Sequence, residues 1–184
     1  MHYRSPEAVL QAGYSYPLDV WAAGCILAEL ATGAKLFALA HPDVHLALME
    51  TTLGPVPPDL VARGWANPAQ QNRHLFVAGD GPPRLAPARR DRAAQAALAA
   101  ARPLGQVIRD PVLRGLLEGM LAHDPGRRLA AADCLRHEFY EVCDGDGDSD
   151  DEPLLRGLGE PAAGWAAMPS VVSWLLPPPS PARG

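Results

Sequence analysis

The sequence predicts a mainly α fold, and three observations carry that expectation. Residues 17–32 form an apolar run that opens on Pro17 and stops before Gly33. Residues 110–121 repeat apolar side chains at helical spacing behind Asp110-Pro111. No segment alternates apolar and polar residues with β-branched enrichment, so no strand is expected.

In the first of these helices Ser15 is placed to cap the N-terminus, Pro17 suits the first turn, and Gly33 suits a left-handed residue just past the end. Leu18, Val20, Trp21, Ile26, Leu27 and Leu30 make it apolar on nearly every face, the pattern of a helix surrounded by others. Residues 44–53 read as a short, half-exposed helix capped by Asp43 and stopped by Gly54-Pro55, with Val44, Leu46, Leu48, Met49 and Leu53 as a loose stripe. Residues 55–109 are rich in Pro, Ala, Gly and Arg and read as an irregular insert. Its one periodic piece is the alanine run from Asp91 to Arg102, an exposed helix that Pro103 ends. The second strong helix presents Val112, Leu113, Leu116, Leu117, Met120 and Leu121 as one broad stripe. A shorter helix follows from Ala130 to Arg136, and the folded part is expected to stop near Phe139-Tyr140.

The chain has 184 residues, enough for one ordinary domain. Its hydrophobic fraction of 48% overstates the core, because 32 of those residues are alanines that bury little area each. The net charge of −5 is unevenly spread: residues 1–140 carry 14 basic and 13 acidic side chains, whereas 141–184 carry 2 and 8. That tail opens with the acidic run Asp144–Glu152 and closes with Pro177–Pro181, two low-complexity signatures expected to be disordered, with Val171, Val172, Trp174, Leu175 and Leu176 between them able to dock back. The acidic run fails as a calcium loop, since Ser149 stands where glycine is needed and Leu155 where the final glutamate is needed. Cys25, Cys134 and Cys143 are odd in number and lack paired metal spacing, so neither a disulfide framework nor a structural zinc is expected. No run is long and apolar enough for a membrane span, and no secretory leader is visible. The expectation is a soluble intracellular protein, with neither a membrane nor a nucleic acid as direct partner.

Several short motifs stand in a telling order. The chain begins His2-Tyr3-Arg4-Ser5-Pro6-Glu7, continues with Asp19-Val20-Trp21 and Gly24-Cys25-Ile26-Leu27, and ends its ordered part with Asp124-Pro125-Gly126-Arg127-Arg128. Together they resemble the C-terminal half of a eukaryotic protein kinase domain. More narrowly, His45-Leu46-Ala47-Leu48-Met49-Glu50, followed by Leu53-Gly54-Pro55, is similar to the E-H-L-A-M-M-E-R signature of the LAMMER, or CDC-like, dual-specificity kinases. Val44 replaces its first glutamate, Leu48 a methionine and Thr51 the arginine; the leucine conserves volume, while two charges are lost.

The resemblance implies the helical C-terminal lobe of a protein-kinase-like fold over residues 1–140, without the β-rich N-terminal lobe. It implies that Glu7 pairs in the interior with Arg128, as a stability element; the alternative is that both are solvated surface charges. It implies that Asp19, on the core helix with Trp21 and Gly24, anchors the catalytic loop of a complete domain. In this chain Asp19 is expected to attract water or stay exposed, and the plainer reading is a favourable charge at the helix N-terminus. Tyr3, Arg4 and Ser5 match the stretch that contacts substrate next to the phosphoacceptor, the alternative being an unstructured chain start. Ala130 stands where threonine commonly caps the last helix, so that helix is expected to fray at its start.

Phosphoryl transfer by a kinase needs a glycine-rich loop, a lysine paired with a helix glutamate, an H-R-D loop and a D-F-G aspartate on magnesium. Gly79-Asp80-Gly81 runs into Pro82-Pro83, neither Arg90-Asp91 nor Arg109-Asp110 follows a histidine, and D-F-G is absent. The only lysine, Lys35, follows the core helix in what the resemblance makes a surface loop. The chain is therefore expected to bind neither ATP nor Mg2+, both of which the resemblance implies for a complete member, and to be inactive alone. Protein substrates or docking partners, including basic, arginine-rich ones, and a nuclear or cytoplasmic location complete the expectations. The competing reading is a noncatalytic kinase-like docking module.

Overall fold

Proline decides where most helices of this protein begin. In the computed structural model, which describes residues 2–38, 41–89 and 91–141, Pro6, Pro17, Pro42, Pro58 and Pro111 each occupy the first turn of a helix, where the missing N–H is not needed. The elements in order are α1 (Pro6–Val9), α2 (Pro17–Thr32), α3 (Pro42–Leu53), α4 (Pro58–Ala66), a 3-10 turn (Arg73–Leu75), β1 (Phe76–Val77), β2 (Arg84–Leu85), α5 (Arg92–Ala100), α6 (Leu104–Val107), α7 (Pro111–Met120), α8 (Ala131–Cys134) and α9 (Glu138–Glu141).

The long helix α2 has the boundaries its punctuation predicts. Gly33 adopts φ 70° and its N–H closes on Glu29 O, but the N-terminal flank is Tyr16, not Ser15, whose carbonyl instead accepts from Leu18 N–H. Val20, Trp21, Gly24, Cys25 and Ala28 form its buried face. The expectation that other elements surround it is corrected on the far side, where Ile26 and Leu30 are about half exposed in line with Asp19 and Ala23. The approach to α7 is close at Gly24, where an added Cβ would lie 3.0 Å from Met120 Cβ and 3.1 Å from Leu121 Cδ2.

Further expectations are corrected. Helix α3 is capped at the His41 position, with Asp43 inside its first turn. It is also a core helix and not a half-exposed one, because Val44, His45, Leu46, Leu48, Met49 and Thr52 are all buried. Much of that cover comes from α5, the alanine helix, which packs against α3 and whose Ala94 is buried. The insert 55–109 carries regular elements: it holds α4, the 3-10 turn, α5, α6 and the strands β1 and β2, paired antiparallel with Phe76 opposite Leu85 and Val77 opposite Arg84. Four strand residues are too few to show alternation, so periodicity gave no strand. Finally, the helix expected over 130–136 is the single turn α8, flanked by Ala130, which supplies no side-chain cap.

Among the described residues, side-chain caps stand at two helix starts for which the sequence reading names no cap. Asp91 accepts from Ala94 N–H at 2.8 Å and Asp110 from Leu113 N–H at 2.7 Å, each satisfying an orphan donor at a helix start. The main core gathers Trp21, Phe37, Met49, Leu60, Leu117 and Leu121, with a smaller cluster of Val20, Leu116, Met120 and Cys134 beside it. Cys25 and Cys134 are free, buried thiols. Burial pushes Cys25 up to about 12, so it stays protonated and inert at physiological pH. Cys143 and the tail 142–184, including the expected disorder and docking of that tail, lie outside the described residues.

Candidate functional site

The chain start, α1 and the loop after α7 converge on one buried guanidinium. Arg128 donates from Nη1 to Glu7 Oε1 at 2.7 Å and from Nη2 to Glu7 Oε2 at 2.9 Å, a two-pronged pair whose side chains are 0% and 2% exposed. It also donates to Ala122 O (3.0 Å), Pro17 O (2.8 Å) and His123 O (3.4 Å), so that every N–H of the group has an acceptor. Its face lies over the Trp21 ring, 5.1 Å from the centroid. A charge this deep is tolerable only because it is paired and fully hydrogen-bonded. One side chain thus ties α1, the N-terminus of α2 and the 122–128 loop together, across 121 positions of sequence.

Trp21, completely buried, is the floor of this arrangement. It stacks on Phe37 with centroids 6.0 Å apart and faces His123 at 6.1 Å. His123 is silent in the sequence, since a single histidine before Asp124-Pro125 gives no signal of burial. Its Nε2–H donates to Gly54 O at 3.0 Å, which joins the 122–128 loop to the end of α3, while Nδ1 is buried without a partner among the described residues, as are Trp21 Nε1 and Ser5 Oγ. Burial is the leading cause that lowers the pKa of His123 below its ordinary value. The folded state therefore takes up the proton less readily than the unfolded chain. The stability His123 confers is complete above about pH 6.5, its unfolded value, and is lost as pH falls below it. Urea unfolding between pH 8 and pH 5 is expected to show this loss. A His123→Gln variant, whose amide N–H still reaches a carbonyl, flattens the slope; an unchanged slope refutes the assignment.

Above the buried pair lies the segment Tyr3-Arg4-Ser5. Tyr3 donates its hydroxyl to Glu29 Oε2 at 2.6 Å, and this bond to a carboxylate is the main cause that raises its pKa. The Arg4 carbonyl accepts from His45 Nε2–H at 3.0 Å, and the His45 ring packs edge-on against Phe37 at 5.5 Å. The Arg4 side chain is left exposed. Ser5 flanks α1, and its carbonyl accepts from Ala8 and Val9 N–H. The segment is ordered by its backbone and by Tyr3, so it is no loose chain start.

The signature helix supplies that support. His45, Leu46 and Met49 of α3 are buried, Ala47 is half-buried, and Glu50 accepts from Val56 N–H at 3.2 Å, holding the turn that leaves the helix. The insert contributes a bracket that sequence reading missed. Gln70, 7% exposed, donates to Leu10 O (2.6 Å) and Gly64 O (2.8 Å), while Asn67 and Asn72 donate to Gln11 O and Val9 O. Gln11, at φ 52°, is held in its left-handed turn by these bonds. The cluster Gln70-Gln71-Asn72 between Pro-rich stretches was the one available sign. The Asp19 carboxylate lies exposed in the first turn of α2 and takes part in no hydrogen bond or ion pair among the described residues, while the Asp19 N–H donates to Tyr16 O at 3.2 Å.

Helix α2 packs closely on α7 at Gly24, and beside its buried Trp21 a carboxylate–guanidinium pair clamps α1 to the loop after α7, in what the comparisons show to be a protein-kinase-like fold. The protein kinase domain family matches residues 1–140, and the chain belongs to that family. A solved kinase domain superposes with a TM-score of 0.66 at 31% identity, over 75% of this chain and 40% of that one. Within the family the chain is similar to kinases of the LAMMER or CLK type. It is 35% identical over 144 residues to the dual specificity protein kinase lkh1 of Schizosaccharomyces pombe, covering 76% of this chain and 20% of the relative. It is 34% identical over 156 residues to the serine/threonine-protein kinase AFC1 of Arabidopsis thaliana (76% and 30%), and 32% identical over 144 residues to human dual specificity protein kinase CLK2 (76% and 27%). The chain thus spans between a fifth and a third of the length of these curated relatives.

Proposed function

We propose that this chain supplies the helical C-terminal lobe of a CLK-like protein kinase domain over residues 1–140, with Tyr3, Arg4 and Ser5 on the edge that meets a protein substrate. The observation that carries this reading is the mounting of that segment. Glu7–Arg128 pins it from below and His45 pins the Arg4 carbonyl, while the Arg4 side chain is left pointing clear of the core. The exposed Asp19, in line with the half-exposed Ile26 and Leu30 on α2, supports the same reading, because it offers the anchor and the apolar bed that a catalytic loop would cover.

In complete family members ATP and Mg2+ provide the transferable phosphoryl group and the charge that steadies it. The described residues do not fit either. Among the described residues no group of three His, Cys, Asp or Glu side chains stands close enough to hold a metal, and Lys35 lines a cavity whose other charged residue is Arg102, whereas an ATP-site lysine pairs with a carboxylate. No H-R-D or D-F-G occurs in the 184 residues. Activity, a protein substrate bearing Ser, Thr or Tyr, and a nuclear location therefore belong to the proposal for a protein carrying those motifs as well. No described helix is long and apolar enough to cross a membrane.

The purified chain is expected to show no rise in melting temperature with ATP and Mg2+. A functional site saturated a hundredfold would add about 2.7 kcal/mol, a shift of several degrees. A magnesium-dependent rise overturns the assignment. The absence of those motifs favours, as second reading, a noncatalytic docking module whose acidic run Asp144–Glu152 attracts arginine-rich proteins. Salt-sensitive binding to an arginine-rich peptide, lost on deleting 144–152, distinguishes it.

A further inference from the structure

The largely apolar cavity between the end of α2, α3 and α5 has a volume of about 310 Å³ and is walled by Leu36, Leu48, Ala97 and Ala101. It exists because α5 presents alanines where larger side chains would fill the space. An engineered cavity of about 150 Å³ admits one benzene-sized group, so this one has room for two aliphatic side chains. Its lining includes two cations and no acid. Lys35 and Arg102 are exposed and, among the described residues, neither pairs with a carboxylate; Arg102 donates only to the carbonyls of Ala99 and Ala101. The mouth therefore calls for an anionic group, and the interior for apolar ones.

We propose that this cavity is a docking site for the chain's own segment Asp150-Asp151-Glu152-Pro153-Leu154-Leu155, the carboxylates meeting Lys35 and Arg102 and the two leucines filling the pocket. The segment matches the cavity in order and in charge: three acids, a proline that restricts the backbone, then two leucines. It is also within reach. Leu154 stands thirteen positions after Glu141, about 43 Å when extended, against a radius of gyration of about 14 Å for a domain of this size. Covalent tethering makes the local concentration of the segment high, so modest contacts suffice. Docking neutralises the cationic rim and withdraws part of the acidic run from basic partners.

Hydrogen–deuterium exchange on the full chain tests this. The amides of 154–156 are expected to exchange at least tenfold more slowly in the wild-type chain than in a Leu154→Asp/Leu155→Asp variant. Lys35→Glu/Arg102→Glu is expected to remove that protection, and adding Asp150→Lys, Asp151→Lys and Glu152→Lys to it to restore protection. The amides of α7, read in the same run, report whether the fold is intact; where a variant loosens α7, the restored protection in the charge-reversed chain decides. Random-coil exchange at 154–156 in the wild-type chain, or protection that survives Lys35→Glu/Arg102→Glu, overturns the proposal. Protection that grows with protein concentration also overturns it, since the occupant is then the tail of a second copy.

Discussion

Replacing Arg128 with alanine is expected to lower the unfolding free energy by about 3 to 5 kcal/mol, because it leaves Glu7 as a buried, unpaired charge. The loss goes beyond the pair. The guanidinium also serves Pro17 O, Ala122 O and His123 O, and a buried acceptor left without a donor costs about 1 to 3 kcal/mol. This distinguishes the site from a simple ion pair. Where only a pair is at stake, an apolar replacement of both partners is often neutral. Here a Glu7→Leu/Arg128→Met variant is expected to recover part of the loss and stop short, since three carbonyls remain unserved. Arg128→Lys fares badly as well, because three rotatable donors cannot match five fixed ones. Urea unfolding of the four chains measures this. A loss below about 1 kcal/mol for Arg128→Ala would sink the assignment.

The second large effect belongs to Trp21. Trp21→Ala is expected to cost about 3 to 5 kcal/mol, as a completely buried ring is removed from between Phe37, His123 and Arg128. Trp21→Phe is expected to cost much less. It keeps a ring to stack on Phe37, and it deletes an indole N–H that is buried without an acceptor among the described residues. The comparison separates packing from polarity: equal losses for the two variants would mean that the indole N–H is satisfied and contributes to stability.

How much of this was legible in the sequence varies with the range of the interaction. Helices α2 and α7 were readable because their signals are local: Pro17 and Gly33 at the ends of one, Asp110-Pro111 and a 3.6-residue stripe in the other. Helix α3 was misjudged for a corresponding reason. Its own residues form only a loose stripe, and the cover that buries it comes from α5, some fifty residues on and built mainly of alanine, which composition marks as weak core material. The insert reads as irregular in the sequence because short helices and two-residue strands carry too few positions to show a period.

The candidate site divides along the same line. Glu7, Arg128, Trp21 and His45 were named from motifs, yet motifs say nothing of distance. His123 carried no signal, and Gln70 only the polar cluster Gln70-Gln71-Asn72, since a buried polar residue is recognisable chiefly by what surrounds it.

By itself, then, the sequence determined the helical class, the ends of the strongly punctuated helices, the kinase family to which the motifs point, and the lack of H-R-D and D-F-G. These are one-dimensional facts, set by neighbouring residues through backbone hydrogen bonding and side-chain period. Only the tertiary structure decided that one guanidinium holds three segments, that α3 lies inside, that α2 keeps an apolar face open, and that Lys35 and Arg102 share the mouth of one cavity. Those depend on which distant residues exclude water from one another, and burial is a property of the packed whole.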